Sequence, residues 1–196
     1  MTKPFSQACE NNKRPILDKL QPLLAQYSNV LEIGSGTGQH AVHFAQILPH
    51  LTWQTSDLPI NHEGINQWLD ESTLPNVKPP IVIDLYQPWP VTTVDVIYTS
   101  NTLHIVSVEL VTRFFDAVGK HLSSDGLLCV YGPFKYNGQF TSPSNGDFDL
   151  WLKERNSESG IRNIEDILAL ATNASLNLIH DYEMPANNRL LVFKKL

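Results

Sequence analysis

The chain has 196 residues, 42% of them apolar and 17% charged, with a formal net charge of −6. That balance excludes a disordered polymer and fits one globular domain over residues 1–196, long enough to bury a sizeable core. An acidic chain has no general attraction for phosphate backbones, which weighs against nucleic acid as a partner.

The two cysteines, Cys9 and Cys129, are far apart and form no CxxC pair, which argues against a disulfide framework or a zinc site. Residues 1–15 contain no apolar leader core, and no apolar run approaches a membrane span, so a cytoplasmic location is expected.

Apolar strand-like runs alternate with helical patterns along the chain. Pro15 to Tyr27 carries Ile16, Leu17, Leu20, Leu23 and Leu24 on one stripe, with Pro15 suited to a first turn and Pro22 expected to kink the helix. Residues 1–28 are therefore read as an N-terminal helix and lid segment, with Asn12 as a candidate cap and Asn12 and Arg14 as possible lid residues.

Val30 to Ile33 reads as a strand ending in a glycine-rich turn, and Gln39 to Leu48 as the helix after it. A second strand, Leu51 to Ser56, precedes a helix over Asn61 to Glu71. Further strands are expected at Val77 to Ile83 and Val94 to Tyr98, then a strong helix over Ser107 to Leu122 and a strand over Leu127 to Tyr131. The link Asp84 to Thr93 holds Pro88 and Pro90, so it is expected as a compact loop without a helix.

Gly132 to Gly146 holds too many breakers for a regular element and is expected as a polar loop, with Asp147 capping a helix over Phe148 to Arg155. A helix over Ile164 to Asn173, capped by Asn163, leads to a hairpin of Leu176 to Glu183 and Arg189 to Lys195. The order predicts an α/β, doubly wound, mostly parallel seven-stranded sheet with a C-terminal antiparallel hairpin.

The strongest signal is the strand–turn–helix Val30-Leu31-Glu32-Ile33-Gly34-Ser35-Gly36-Thr37-Gly38-Gln39-His40. Glycines let the backbone turn sharply and let a ligand approach where a Cβ would clash. In open α/β sheets such a turn lies at the strand ends where ligands bind. A dinucleotide G-x-G-x-x-G aligned on Gly34 and Gly36 would put its third glycine at Gln39, whereas here it is Gly38. That placement favours a turn that fits S-adenosylmethionine (SAM), which has no phosphate to cradle. Asp57, 19 residues after Gly38, can accept two hydrogen bonds from a ribose diol, and Asp84 at the next strand end suits an adenine amino group.

With these features the chain resembles the class I SAM-dependent methyltransferases over nearly its whole length. It is similar in particular to a small methyltransferase-like family of unassigned substrate found in bacteria and animals. The resemblance rests on Glu10 to Lys13 with Pro15-Ile16-Leu17, Gly36 to His40, Ser56-Asp57, Tyr131-Gly132-Pro133, Asn137-Gly138, Ser144-Asn145 with Phe148-Asp149, and Met184 to Asn188. It implies a methyl transferase with SAM as cofactor. Glu32, Gly34, Ser35, Gly36, Thr37 and Gly38 would lie near the methionine moiety, Asp57 and Leu58 at the ribose, Asp84 and Leu85 near adenine, and Asn101 beside the methyl donor.

Methyl transfer is an in-line displacement that depends chiefly on positioning, so no catalytic dyad is required. Candidates on the acceptor side are His104 after the fourth strand, and Tyr131, Tyr136, Asn145 and Asp147 around the loop after the fifth. The acceptor is expected to be a small molecule. His40 and His43 share a helix at metal-ligand spacing but have no third ligand nearby, and Trp53, Trp68, Trp89 and Trp151 do not cluster with basic residues, which favours packing roles. Two other readings fit the same turn: a SAM-binding sensor or scaffold without transferase activity, and a nicotinamide-dependent oxidoreductase.

Overall fold

A computed structural model describes residues 3–196; the first two residues of the expected lid segment lie outside the described residues. In chain order the elements are α1 (Gln7–Leu23), β1 (Asn29–Ile33), α2 (Gln39–Ile47), β2 (Thr52–Asp57), α3 (Pro59–Ser72), β3 (Val77–Val82), β4 (Val94–Ser100) and α4 (Val108–His121). They are followed by β5 (Leu122–Gly132), β6 (Phe134–Tyr136), β7 (Gln139–Phe140), α5 (Pro143–Arg155), β8 (Arg162–Asn163), α6 (Ile164–Asn173), β9 (Leu176–Met184) and β10 (Asn188–Lys195).

The main sheet has seven strands in the order β3-β2-β1-β4-β5-β10-β9. Strands β1 to β5 pair in parallel, and β10 runs antiparallel to both β5 and β9. This is the mostly parallel, doubly wound sheet read from the sequence. Only β10 is reversed, since its antiparallel pairing with both neighbours returns β9 to the common direction. As expected, the link from β3 to β4 carries no helix, and Trp89 within it is buried and stacks on His121 of α4.

Alternation along the strands sorts the core into two layers. Val30, Val96, Tyr98, Cys129, Leu190 and Val192 face one layer with the apolar stripes of α1, α2 and α3. Their neighbours Leu31, Ile97, Leu128, Val130, Leu191 and Phe193 face the other, against α4 and α6.

Three sequence expectations are corrected. The first helix begins at Gln7, capped by Ser6, whose Oγ accepts the Cys9 N–H at 3.2 Å. Asn12 therefore lies inside α1 and caps nothing, and both Pro15 and Pro22 sit in the helix interior. An interior proline costs about 3 kcal/mol, but the fully buried Ile16, Leu17, Leu20 and Leu24 contribute roughly 1.5–3 kcal/mol each, which outweighs it. Second, the segment after β5 is not an irregular loop. Asn137 and Gly138, both at positive φ (50° and 74°), turn the β6–β7 hairpin, and α5 starts at Pro143. Its cap is Ser142, whose Oγ accepts the Asn145 N–H at 3.2 Å, so Asp147 lies inside the helix rather than at its cap. Third, Asn163 occupies the cap position of α6 but makes no capping bond; its Nδ2 donates to Asp166 at 3.0 Å.

Gly38 starts α2 at φ 89°, and a Cβ there would stand 3.3 Å from the Cα of Ile65 on α3. Gly38→Ala is expected to lower stability by about 2 kcal/mol, from left-handed strain plus this contact. The change is read as a lower urea midpoint with an unchanged m value.

Candidate active-site cleft

A cleft of about 1440 Å³ opens at the carboxyl ends of β1 to β5, over the point where the strand order reverses between β1 and β4. Its floor is the turn after β1. Gly34, Gly36 and Gly38 all have positive φ, and the turn is closed by its own hydrogen bonds. The Ser35 N–H donates to the Ser56 carbonyl at 2.9 Å, the Gly36 N–H to Asp57 Oδ2 at 2.8 Å, and the Gly38 N–H to the Ser35 carbonyl at 2.9 Å. Thr37 Oγ1 accepts the first N–H of α2, from Gln39, at 3.4 Å. A Cβ on Gly36 meets no protein atom within 4 Å, so the space above it belongs to the cleft.

Glu32 is 2% exposed at the end of β1. Its Oε2 accepts from Ser35 Oγ at 2.9 Å and from Trp53 Nε1 at 3.1 Å. Burial pushes its carboxyl up to about 7, against the opposing effect of those two donors. Asp57 is more open. Its Oδ1 accepts the Leu58 N–H at 2.7 Å and Asn61 Nδ2 at 2.8 Å, and its Oδ2 accepts Gly36. A carboxylate has about four lone-pair sites, so one remains on Oδ2, room for one further donor rather than the two expected. Asp84 Oδ1 accepts the Tyr86 N–H at 2.9 Å. Leu58, Asp84, Leu85 and Asn101 all line the cleft with the glycine turn. Asn101 sits at φ 57° and donates its N–H to the Tyr131 carbonyl at 2.8 Å.

The N-terminal segment forms one wall. Gln39 clamps it, accepting the Ser6 N–H at 2.6 Å and returning Nε2 to the Ser6 carbonyl at 3.3 Å. Asn12 lines the cleft and pairs its Oδ1 with Nε2 of the buried His40 at 2.6 Å, while His40 Nδ1 meets the Tyr98 hydroxyl at 3.2 Å. Burial pulls the His40 imidazole down to about 4, so it stays neutral. Arg14 points elsewhere, paired with Asp18 at 2.9 Å and 71% exposed, and takes no part in the cleft.

On the acceptor side the structure brings together His104, Tyr131 and Asn145, which line the cleft, but not Tyr136 or Asp147. The Tyr136 hydroxyl donates to Asp181 Oδ2 at 2.7 Å, under the Arg189 guanidinium, and Asp147 is exposed on α5. Asn145 Nδ2 bridges Thr141 Oγ1 and the Asn187 carbonyl, a holding role. His104 is buried edge-on against Phe148 at 5.3 Å, and burial pulls it down to about 4.

Sequence reasoning missed the rest of this wall. Phe148 stacks on Trp151 at 5.7 Å, and the Arg155 guanidinium lies over the Trp151 ring at 4.0 Å. Lys3 likewise covers Trp68 at 3.7 Å, so two of the four tryptophans do meet basic residues. Trp151 and Arg155 are four apart on one helix, a spacing that puts side chains on the same face. Arg162 secures the loop beneath, donating to the carbonyls of Leu103 at 3.0 Å, Val106, and Glu158 at 2.9 Å.

The fold is that of O-methyltransferases. An O-methyltransferase family protein from Burkholderia thailandensis superposes with a TM-score of 0.83 at 16% identity, over 93% of this chain and 56% of that one. The SAM-dependent methyltransferase SibL gives 0.80 at 18% identity, over 95% and 55%. NcsB1, an O-methyltransferase from neocarzinostatin biosynthesis determined with SAM and 2-hydroxy-5-methyl naphthoic acid, gives 0.80 at 16%, over 96% and 55%. The chain thus spans about half the length of these structures. Residues 3–195 match the model of a family described as protein of unknown function, and the chain belongs to that family, DUF938.

Proposed function

We propose that the chain is a SAM-dependent methyltransferase acting on a small-molecule acceptor. The observation that carries this reading is the self-satisfied glycine turn. Three of its backbone N–H groups are spent, Ser35 on the Ser56 carbonyl, Gly36 on Asp57 and Gly38 within the turn, and Thr37 takes the first N–H of α2. A pyrophosphate cradle needs those donors free, whereas an adenosyl sulfonium needs space and nearby carboxylates. The open side of Gly36, buried Glu32 and the spare lone pair on Asp57 supply both.

When bound, SAM supplies an electrophilic methyl group on a positively charged sulfur. On this reading Glu32 and Ser35 hold the amino-acid end, Asp57 accepts one ribose hydroxyl, Asp84 and Leu85 border the base, and Asn101 stands beside the methyl. Helix α1 walls the cofactor in through Asn12 and the Gln39 clamp on Ser6. The small-molecule acceptor is supported by similar folds whose structures were determined with apigenin and with a naphthoic acid.

S-adenosylhomocysteine at about 100-fold over its dissociation constant is expected to stabilise the protein by about 2.7 kcal/mol in a thermal-shift series, with no effect from NAD. Stabilisation by NAD alone refutes the assignment. Binding without transfer of label from SAM to any of a panel of acceptors favours a sensor.

Asp57→Asn keeps the side-chain volume and removes the charge. Its S-adenosylhomocysteine affinity is expected to fall by about 1.5–3 kcal/mol in calorimetry; an unchanged affinity rules out the ribose role.

Glu32 sets a pH dependence. Below about 7 its carboxyl is protonated in the free protein and must lose that proton to meet a ligand ammonium group. Affinity is therefore expected to rise with pH, approaching tenfold per unit below 7, and to level off above it. In Glu32→Gln the slope should vanish; a wild-type profile flat from pH 5 to 8 contradicts the role.

A further inference from the structure

The charges around the cleft are segregated. Its acids, Glu32, Asp57, Glu63 and Asp84, come from β1, β2, α3 and the end of β3, all on one side of the strand-order reversal. Among the described residues the only lysine or arginine in the lining is Arg155, at the end of α5. Helix α5 stands on the other side, over the loop after β4. The His104 ring meets Phe148, the Gly160 N–H donates to the His104 carbonyl at 2.9 Å, and Ser159 Oγ donates to the Ile105 carbonyl at 2.5 Å.

Arg155 is exposed, and among the described residues it has no carboxylate partner within 4.0 Å. Its guanidinium carbon stands 4.0 Å from the centre of the Trp151 ring, and a guanidinium presents a planar fork of donors that matches a carboxylate. Trp151 and Ile105, 45% and 54% exposed, line the same cleft and offer apolar surface to a flat ring.

The geometry points to an acceptor subsite for a planar aromatic anion, its ring against Phe148, Trp151 and Ile105 and its carboxylate or equivalent oxyanion on Arg155. This rests on the proposed function, which assigns the acidic side of the cleft to the cationic cofactor. The two ends then suit ligands of opposite charge, and each is steered away from the other's position.

The test is calorimetry on the protein saturated with S-adenosylhomocysteine, titrated with trans-cinnamate and with the neutral trans-cinnamamide at low ionic strength. Cinnamate is expected to bind at least tenfold more tightly than the amide. Arg155→Gln, an exposed change that leaves the core intact, should cost cinnamate at least tenfold and leave the amide unchanged; Trp151→Leu should weaken both. Equal binding of the two probes, or cinnamate affinity indifferent to Arg155→Gln, overturns the subsite. If S-adenosylhomocysteine binds normally in that case, only this inference falls; if it does not bind wild type at all, the cofactor reading falls with it.

Discussion

A carboxylate buried at the tip of a strand is the constraint around which the cleft is organised. Glu32 leaves the sheet between β2 and β4, and removing a charge from water there costs several kcal/mol unless it is partnered or neutralised. The surroundings do both in part: Ser35 and Trp53 donate to one oxygen, and its proton affinity rises towards neutrality. Ser35 can reach Glu32 only because the chain doubles back at Gly34. Its N–H meets the Ser56 carbonyl, its hydroxyl accepts the Ser56 N–H at 3.1 Å, and the Ser56 hydroxyl donates to the Glu32 carbonyl at 2.5 Å. The glycine turn and the tip of β2 are thereby one polar unit, and Asp57 follows directly, held against Gly36.

That unit also determines what the turn can bind. An anion cradle is built from unspent N–H groups pointing at the ligand. Here the N–H groups of Ser35, Gly36 and Gly38 are consumed within the protein, and the carboxyls of Glu32, Asp57 and Asp84 line the cleft instead. The field over β1 to β3 is therefore negative, and the field at the end of α5 is positive through Arg155. On the proposed reading, a crevice with opposite signs at its ends sets the order in which two ligands of opposite charge lie along it.

The sheet was legible because its central strands, buried on both faces, are short and nearly continuous apolar runs. The glycine turn and the two strand-end acids were legible for a related reason: positive φ and strand termini restrict residue choice locally. What escaped depended on longer-range packing or on a local rule not applied. The start of α1 was hidden because its first two turns, Gln7 to Arg14, are mostly polar; Asn12 alone among them is buried, where it meets His40. The β6–β7 hairpin carried the Asn-Gly pair that favours a two-residue turn, but strands of three and two residues show no alternation to flank it. Tyr136 and Asp147 share a segment with Tyr131 and Asn145, yet the hairpin and the helix turn them away from the cleft. The Trp151–Arg155 pair lay inside the expected helix Phe148 to Arg155, and its four-residue spacing already put it within reach.

The two buried histidines of the cleft wall argue for what kind of catalyst this chain can be. A general base works best with a pKa near the working pH, and His40 and His104 are both held far below it, each packed against an aromatic ring. Their burial has a price in stability under acid, since each must stay neutral in the fold while the unfolded chain takes up a proton as pH falls from about 6.5 to 4. Stability from this source is present at neutral pH and is lost downward through that window. Residues kept at such a cost serve the architecture: His40 ties α1 to β4 through Asn12 and Tyr98, and His104 seats α5 through Phe148 and Gly160. Catalysis on the proposed reading is then left to alignment and charge. Those are the two contributions a displacement at a sulfonium methyl draws on most, because its barrier falls chiefly when the attacking lone pair is already within about 3–3.5 Å and in line.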